Sequence, residues 1–329
     1  MMTEVKMKSL RDAYGQALAA LGAENENIVV LDADLSGSTR TSMFAAKFPE
    51  RFFNMGIAEQ DMISTAAGLA AAGKIPFAST FAVFASGRAW DQVRQSVCMG
   101  KMNVKIVASH GGITVGEDGP THQALEDIAL MRVMPNITVI VPADAHETAA
   151  AVRKAAQLSG PFYIRTARDK FPVIYGEDME FTPGKATQLR EGTDVAIIAC
   201  GIMVSKALEA AEALSGEGVS VAVVNMSSIK PIDMEMIVSM ARETGAIVTA
   251  EEHSIIGGLG SAVAEVVSET EPVPVIRVGM RAAVGSSGAP EELLNLFGMN
   301  TEAVVEAARK AIGMKKEPVA GQAKTVMTG

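Results

Sequence analysis

Short apolar runs rich in β-branched residues alternate with longer stretches whose apolar positions recur at helical spacing, from one end of the chain to the other. That alternation is the pattern of parallel sheets joined by crossover helices. Residues 28–35 (IVVLDADL), 104–109 (VKIVAS) and 137–142 (ITVIVP) predict buried strands. Between them, residues 59–72, 88–99 and 145–158 carry the period of amphipathic helices. These elements close by about Arg168, and a first domain is placed at residues 6–172. The turn-rich, acidic stretch at residues 173–185 predicts a linker. Beyond it the pattern restarts, with strands expected at 194–201, 219–226 and 246–253, each followed by a helix-like segment. Residues 186–314 thus predict a second, smaller domain, while residues 315–329 lack any apolar period and predict a disordered tail. The fold class is α/β, with two doubly wound, mainly parallel-sheet domains.

Composition narrows the function without naming it. A chain of 329 residues can bury two cores, and 48% hydrophobic with 20% charged residues is the make-up of a globular protein. A formal net charge of -9 argues against a nucleic-acid binder, which would carry a basic face. The two cysteines, Cys98 and Cys200, lie far apart with no metal-ligand spacing, so neither a disulfide nor zinc is expected and a reducing cytoplasm fits. The start MMTEVKMKSL has no apolar export core, and the Ala-rich stretch 63–72 meets Lys74 and Pro76 before it could span a bilayer. No membrane or nucleic-acid partner is expected.

Three segments are more polar and more Gly-rich than packing requires: NMGIAEQD (54–61), STFAVFASGRAWDQVR (79–94) and SHGGITVGEDGPTHQ (109–123). The third carries two of the four histidines, His110 and His122, beside Glu117 and Asp118. Loops at the carboxyl ends of strands are where open α/β sheets bind ligands. These segments resemble the pyrimidine-binding domain of transketolases, and the second unit is similar to that family's carboxyl-terminal domain. GEDGPTHQ is close to a family signature, and the resemblance runs from about Lys6 to Ile312. The family's other domain, in which GDG and a downstream Asn hold magnesium and a diphosphate, has no counterpart in this sequence.

The resemblance implies the β-type subunit of a split transketolase. Thiamine diphosphate would be shared with an N-terminal-section subunit that holds the diphosphate and Mg²⁺ (or Ca²⁺ or Mn²⁺). Self-association to a dimer and an α2β2 heterotetramer are the implied assemblies. The reaction would move a two-carbon ketol unit between sugar phosphates.

By the same resemblance Glu59 is the acid at the coenzyme's pyrimidine nitrogen, where burial must leave it able to donate a proton. Phe81 and Phe84 match the aromatic pair that seats the ring, and Asp34 a further coenzyme contact. His122 corresponds to a proton-transfer partner beside the reacting carbons and Asp118 to a reader of substrate hydroxyls. Arg11, Ser38, His110 and Arg168 correspond to a clamp on the substrate phosphate, a task suited to the guanidinium fork. Without the resemblance, Glu59 reads as a first-turn helix carboxylate, the phenylalanines as core, and the arginines as surface ion-pair partners. Gly87 stands where full-length transketolases often carry another aromatic, and RAWDQVR is similar to 1-deoxy-D-xylulose-5-phosphate synthase. A split synthase of that kind, a 2-oxoacid dehydrogenase β subunit and a non-catalytic paralogue are the alternatives. The run Gly257 to Gly260 after EEH reads as a tight strand-to-helix turn, and His146 and His253 as structural or surface residues.

Overall fold

The computed structural model describes residues 6–281 and 283–315. Its larger sheet has seven strands in the spatial order Ser228–Lys230, Thr138–Ile140, Phe162–Arg165, Lys105–Ser109, Ile75–Phe81, Ile28–Asp32, Phe52–Asn54. Every pairing is parallel except that of the Ser228–Lys230 edge, which is antiparallel. Strands such as Ile28–Asp32 and Lys105–Ser109 are buried at every position, as parallel strands covered on both faces must be. The two-residue period of a strand assigns alternate side chains to opposite cores. Ile28 and Val30 pack with the helices Leu10–Glu24 and Ala145–Gln157, while Val29 and Leu31 join Met62 and Ile63 of the helix Glu59–Ala71.

A second sheet has five strands in the order Val275–Met280, Ile247–Ser254, Val195–Ala199, Val221–Asn225, Thr187–Arg190, the last antiparallel, and Met7–Ser9 pairs with Lys170–Pro172 in a two-stranded antiparallel sheet. Val195, Ile197 and Ala199 face the helices Met203–Ser215 and Thr301–Gly313. Ala196 and Ile198 face Met234–Thr244 and Leu259–Glu269 in a core continuous with that of the larger sheet. The expected pair of doubly wound sheets is therefore present. Ser9, Asp144, Asp233 and Asn300 each accept a backbone hydrogen bond at a helix start, worth about 1 kcal/mol apiece.

Three details depart from expectation. Ser228–Lys230 lies in the later stretch of the chain yet completes the first sheet, with Val141 N donating to Ser227 O at 2.7 Å beside it. The single helix expected at 88–99 is instead a three-residue α-helix, Trp90–Gln92, between π-helical turns at Phe84–Arg88 and Val93–Cys98. Each π turn takes in an extra residue, so a 3.6-residue period does not describe it. Residues 79–81, grouped above with a loop, end the strand Ile75–Phe81, where Ser79 and Thr80 are fully buried. No helix among the described residues is long and apolar enough to cross a membrane. The expected tail, apart from Lys315, lies outside the described residues.

Candidate active site

Five adjacent strands of the larger sheet present their carboxyl ends side by side. Glu59 follows Phe52–Asn54, Asp34 and Ser38 follow Ile28–Asp32, and Phe84 follows Ile75–Phe81, of which Phe81 is the last residue. The loop 110–123 follows Lys105–Ser109, and Arg168 follows Phe162–Arg165. The chain runs from Ile28–Asp32 outward to the edge strand Phe52–Asn54 and returns on the other side at Ile75–Phe81. Such a reversal of strand order opens the crevice in which open α/β sheets take ligands.

Glu59 opens its helix and is only 1% exposed. Its Oε2 accepts a hydrogen bond from Arg88 Nη1 at 2.8 Å. The Arg88 guanidinium carbon in turn lies 4.6 Å from the centroid of the Phe84 ring. Phe84 and Phe81 are nearly parallel, 5.8 Å apart at 13°. Phe81 stacks on His110 at 3.7 Å, and His122 stands edge-on to Phe81 at 6.1 Å and to Phe84 at 5.6 Å. One continuous chain of contacts thus links Glu59, Arg88, both phenylalanines and both histidines. Arg88 was not singled out from sequence, although its place four residues after Phe84 sets the two within reach on one helical face.

His110 occupies the left-handed backbone region at φ 59, a conformation a non-glycine residue keeps only where its surroundings hold it. Its Nδ1 meets Ser109 Oγ at 2.9 Å. Burial, and then the charges of Arg11, Arg168 and His122, lower its pKa to about 3, so its ring is neutral in ordinary conditions. His122 Nδ1 lies 2.9 Å from Thr121 Oγ1.

Arg168 Nη1 donates to Val115 O and, at 2.9 Å, to Glu117 Oε2, with Asp118 at 3.9 Å. Arg11 spans the carbonyls of Ser38 and Arg168 at 2.8 Å each, so it ties two loops together. Ser38 meets it through its backbone. Arg11, Arg40, Arg168 and Lys170 line a groove of about 390 Å³ with Asp12, Glu117 and Asp169. Asp34, at φ 63, accepts from Asn54 Nδ2 at 2.9 Å, a local contact outside the chain that links the rings. Buried Asp32, which sequence reasoning passed over, shapes this loop by accepting from Leu35 N, Thr39 Oγ1 and Thr41 Oγ1 at 2.6 to 2.8 Å.

Residues 6–173 match the family model for the transketolase pyrimidine-binding domain and residues 184–304 that for the transketolase C-terminal domain. A Methanocaldococcus jannaschii protein named for a transketolase C-terminal section is 50% identical over 94% of this chain and 98% of its own length. The chain belongs to the transketolase family. The members of this family are thiamine-diphosphate-dependent transferases. A 6-deoxy-6-sulfo-D-fructose transketolase subunit, SqwH of a Clostridium species, is 45% identical over 95% of this chain and 98% of its own. Human transketolase is 40% identical over 92% of this chain, which spans 49% of that enzyme. Among solved structures, one described as a split-gene transketolase in an inactive beta4 tetramer has 57% identity and a TM-score of 0.88, covering 94% of this chain and 99% of that one. Leishmania mexicana transketolase superposes with a TM-score of 0.81 at 29% identity, over 98% of this chain and 48% of its own. In transketolase terms, the contact chain just described lies wholly in the pyrimidine-binding part, while the second sheet belongs to the C-terminal part.

Proposed function

We propose that this chain is the pyrimidine-binding subunit of a split transketolase. Joined by a partner that grips Mg²⁺ and the diphosphate, it transfers a two-carbon ketol unit from a ketose phosphate to an aldose phosphate. The observation that carries the reading is the contact chain from buried Glu59 through Phe84 and Phe81 to His110 and His122. Further support comes from two relatives named as a transketolase section and a transketolase subunit, each matched over 98% of its length. We take the first domain as residues 6–172 and the second as 186–314. A cytoplasmic α2β2 assembly is the matching architecture. The name of the similar beta4 structure suits a subunit that associates with itself but does not turn over alone.

The residues present suit the coenzyme. A flat, cationic guanidinium already occupies the space between the Phe84 ring and the Glu59 carboxylate, so that space accepts a flat, electron-poor ring. Thiamine diphosphate supplies, when bound, a centre that stabilises a carbanion. Glu59 holds or releases a proton at its carboxyl within a water-poor pocket. Phe81 and Phe84 orient a ring against their faces, and Asp34, on the loop after Ile28–Asp32, is the further coenzyme contact of this reading. His122 is the group able to move a proton beside the substrate's reacting carbons. His110, kept neutral, offers a substrate phosphate a hydrogen bond without a charge, and Asp118 accepts from a sugar hydroxyl. Arg168 provides the positive charge for the phosphate, and Arg11 with Ser38 sets the position of Arg168.

The test is to purify the chain with a diphosphate-binding partner from its native cell and assay xylulose 5-phosphate with ribose 5-phosphate. Transfer supports the reading. Consumption of pyruvate with glyceraldehyde phosphate would replace it with a synthase, and oxidative decarboxylation of 2-oxoacids with a dehydrogenase subunit. A recovered pair inert to all of these would leave a non-catalytic paralogue. A further arm offers 6-deoxy-6-sulfo-D-fructose as donor, because the Clostridium relative is named for that sugar.

A further inference from the structure

Glu252 belongs to the second sheet, on the strand Ile247–Ser254, yet its carboxylate reaches into the loop that carries His110, Asp118 and His122. It is 2% exposed, and its Oε1 accepts from Thr114 N at 2.6 Å across 138 residues of sequence. The loop backbone presses on it so closely that a Cβ at Gly112, where φ is +88, would lie 2.2 Å from the carboxylate. Only glycine satisfies both that backbone angle and that approach. The carbonyl of Glu252 accepts from Arg165 Nη2 at 2.9 Å, and the same Nη2 reaches Ala124 O at 3.1 Å, on the returning limb of the loop. Arg165 is itself fixed by buried Asp127 at 2.9 Å. The two limbs join where Gly112 N donates to Ala124 O at 2.9 Å.

We propose that Glu252 is a positioning residue of the active site: acting through Thr114 N, it holds the 110–123 loop in the shape that presents His110, Asp118 and His122. It touches none of the reacting groups. Two further ties from the second domain lie on the same loop, Gln123 Nε2 to Ser286 O at 2.7 Å and Ser287 Oγ to Glu117 O at 2.6 Å. Glu252 is the ionisable one, and burial pushes its carboxyl pKa up while Arg165 pulls it down. Ser287 is exposed and Gln123 is buried, and a buried acceptor fixes geometry more tightly than an exposed contact does. The second domain thereby has a task in the reaction through a residue that does not itself line the groove of Arg11 and Arg168. This inference rests on the transketolase reading for its catalytic half.

The experiment compares wild type, Glu252→Ala and Glu252→Gln, which keeps an acceptor oxygen for Thr114 N. Amide hydrogen exchange is read on the full chain, and steady-state kinetics on the pair with its partner. In Glu252→Ala the Thr114 amide should exchange at least about 10-fold faster while the amides of Ile28–Asp32 keep their protection. Its kcat/KM should fall about 10-fold or more with coenzyme affinity unchanged. Glu252→Gln should restore most of both. Unchanged Thr114 exchange, or faster exchange with wild-type kcat/KM, overturns the proposal, and so does a Gln variant as impaired as the Ala one. If Glu252→Ala does not fold, Glu252→Asp, one methylene short of Thr114, is read by the same criteria. A wild-type pair that fails to transfer ketol units defeats the transketolase reading instead, and the exchange result still decides whether Glu252 anchors the loop.

Discussion

The two sides of the site are held in opposite ways. On one side, Glu59 is buried but its ion-pair partner Arg88 is 47% exposed, on a segment that bends through π turns. On the other, the 110–123 loop is pinned by Glu252 and by an Arg165–Asp127 pair whose side chains are at most 5% exposed. Arg88 can swing out to solvent from its half-exposed position, whereas the Arg165–Asp127 pair has no such exit, and removing one member of a buried pair costs about 3–5 kcal/mol. The first side therefore has a member with room to move and the second has none. On the proposed reading, that suits a coenzyme that replaces the Arg88 contact and a substrate that meets groups already in place.

Four changes would break or sharpen this contrast. Glu59→Gln should leave folding and partner association intact but lower turnover of the reconstituted pair by about 10²–10⁴-fold, the usual range for a lost acid-base group. Near-normal turnover would remove Glu59 from the chemistry. Arg168→Ala should raise KM for phosphorylated sugars by roughly 10-fold or more, as expected for a lost charged hydrogen bond, and leave unphosphorylated ones nearly unchanged. An equal effect on both would take it out of the phosphate contact. Arg88→Ala should tighten coenzyme binding by roughly fivefold or more, because a contact to the buried Glu59 carboxylate no longer has to be displaced, read by quenching of Trp90. Weaker binding would make Arg88 a coenzyme contact instead.

The smallest effect concerns acid. His110 takes up its proton only near pH 3 in the folded chain but at about 6.5 when unfolded. Between those values the unfolded state binds more protons, so stability falls as pH drops through that window. His110→Asn should lose less stability than wild type between pH 7 and 4.5 in denaturant titrations. Identical losses would mean the ring is not shielded as described.

Much of the frame was legible because apolar runs announce buried parallel strands, as residues 28–35 and 104–109 did. The helix that Glu59 opens was legible from its period, but only the family resemblance singled out Glu59 itself. Ile75–Phe81 was less so, because Pro76, Ser79 and Thr80 interrupt the apolar signal although the strand is central. The Glu59–Arg88 pair was hidden because only π turns and a folded sheet bring the two together. Glu252 lay further out of sight, since a hydrogen bond spanning 138 residues leaves no local trace in a single sequence.

The borrowed edge strand Ser228–Lys230 makes the halves of this chain poor candidates for separate expression. A fragment ending near residue 173 would keep every loop of the candidate site but bare the unpaired backbone of Thr138–Ile140. Such an edge is a template for pairing with other chains, so the excised half should aggregate where the intact one does not.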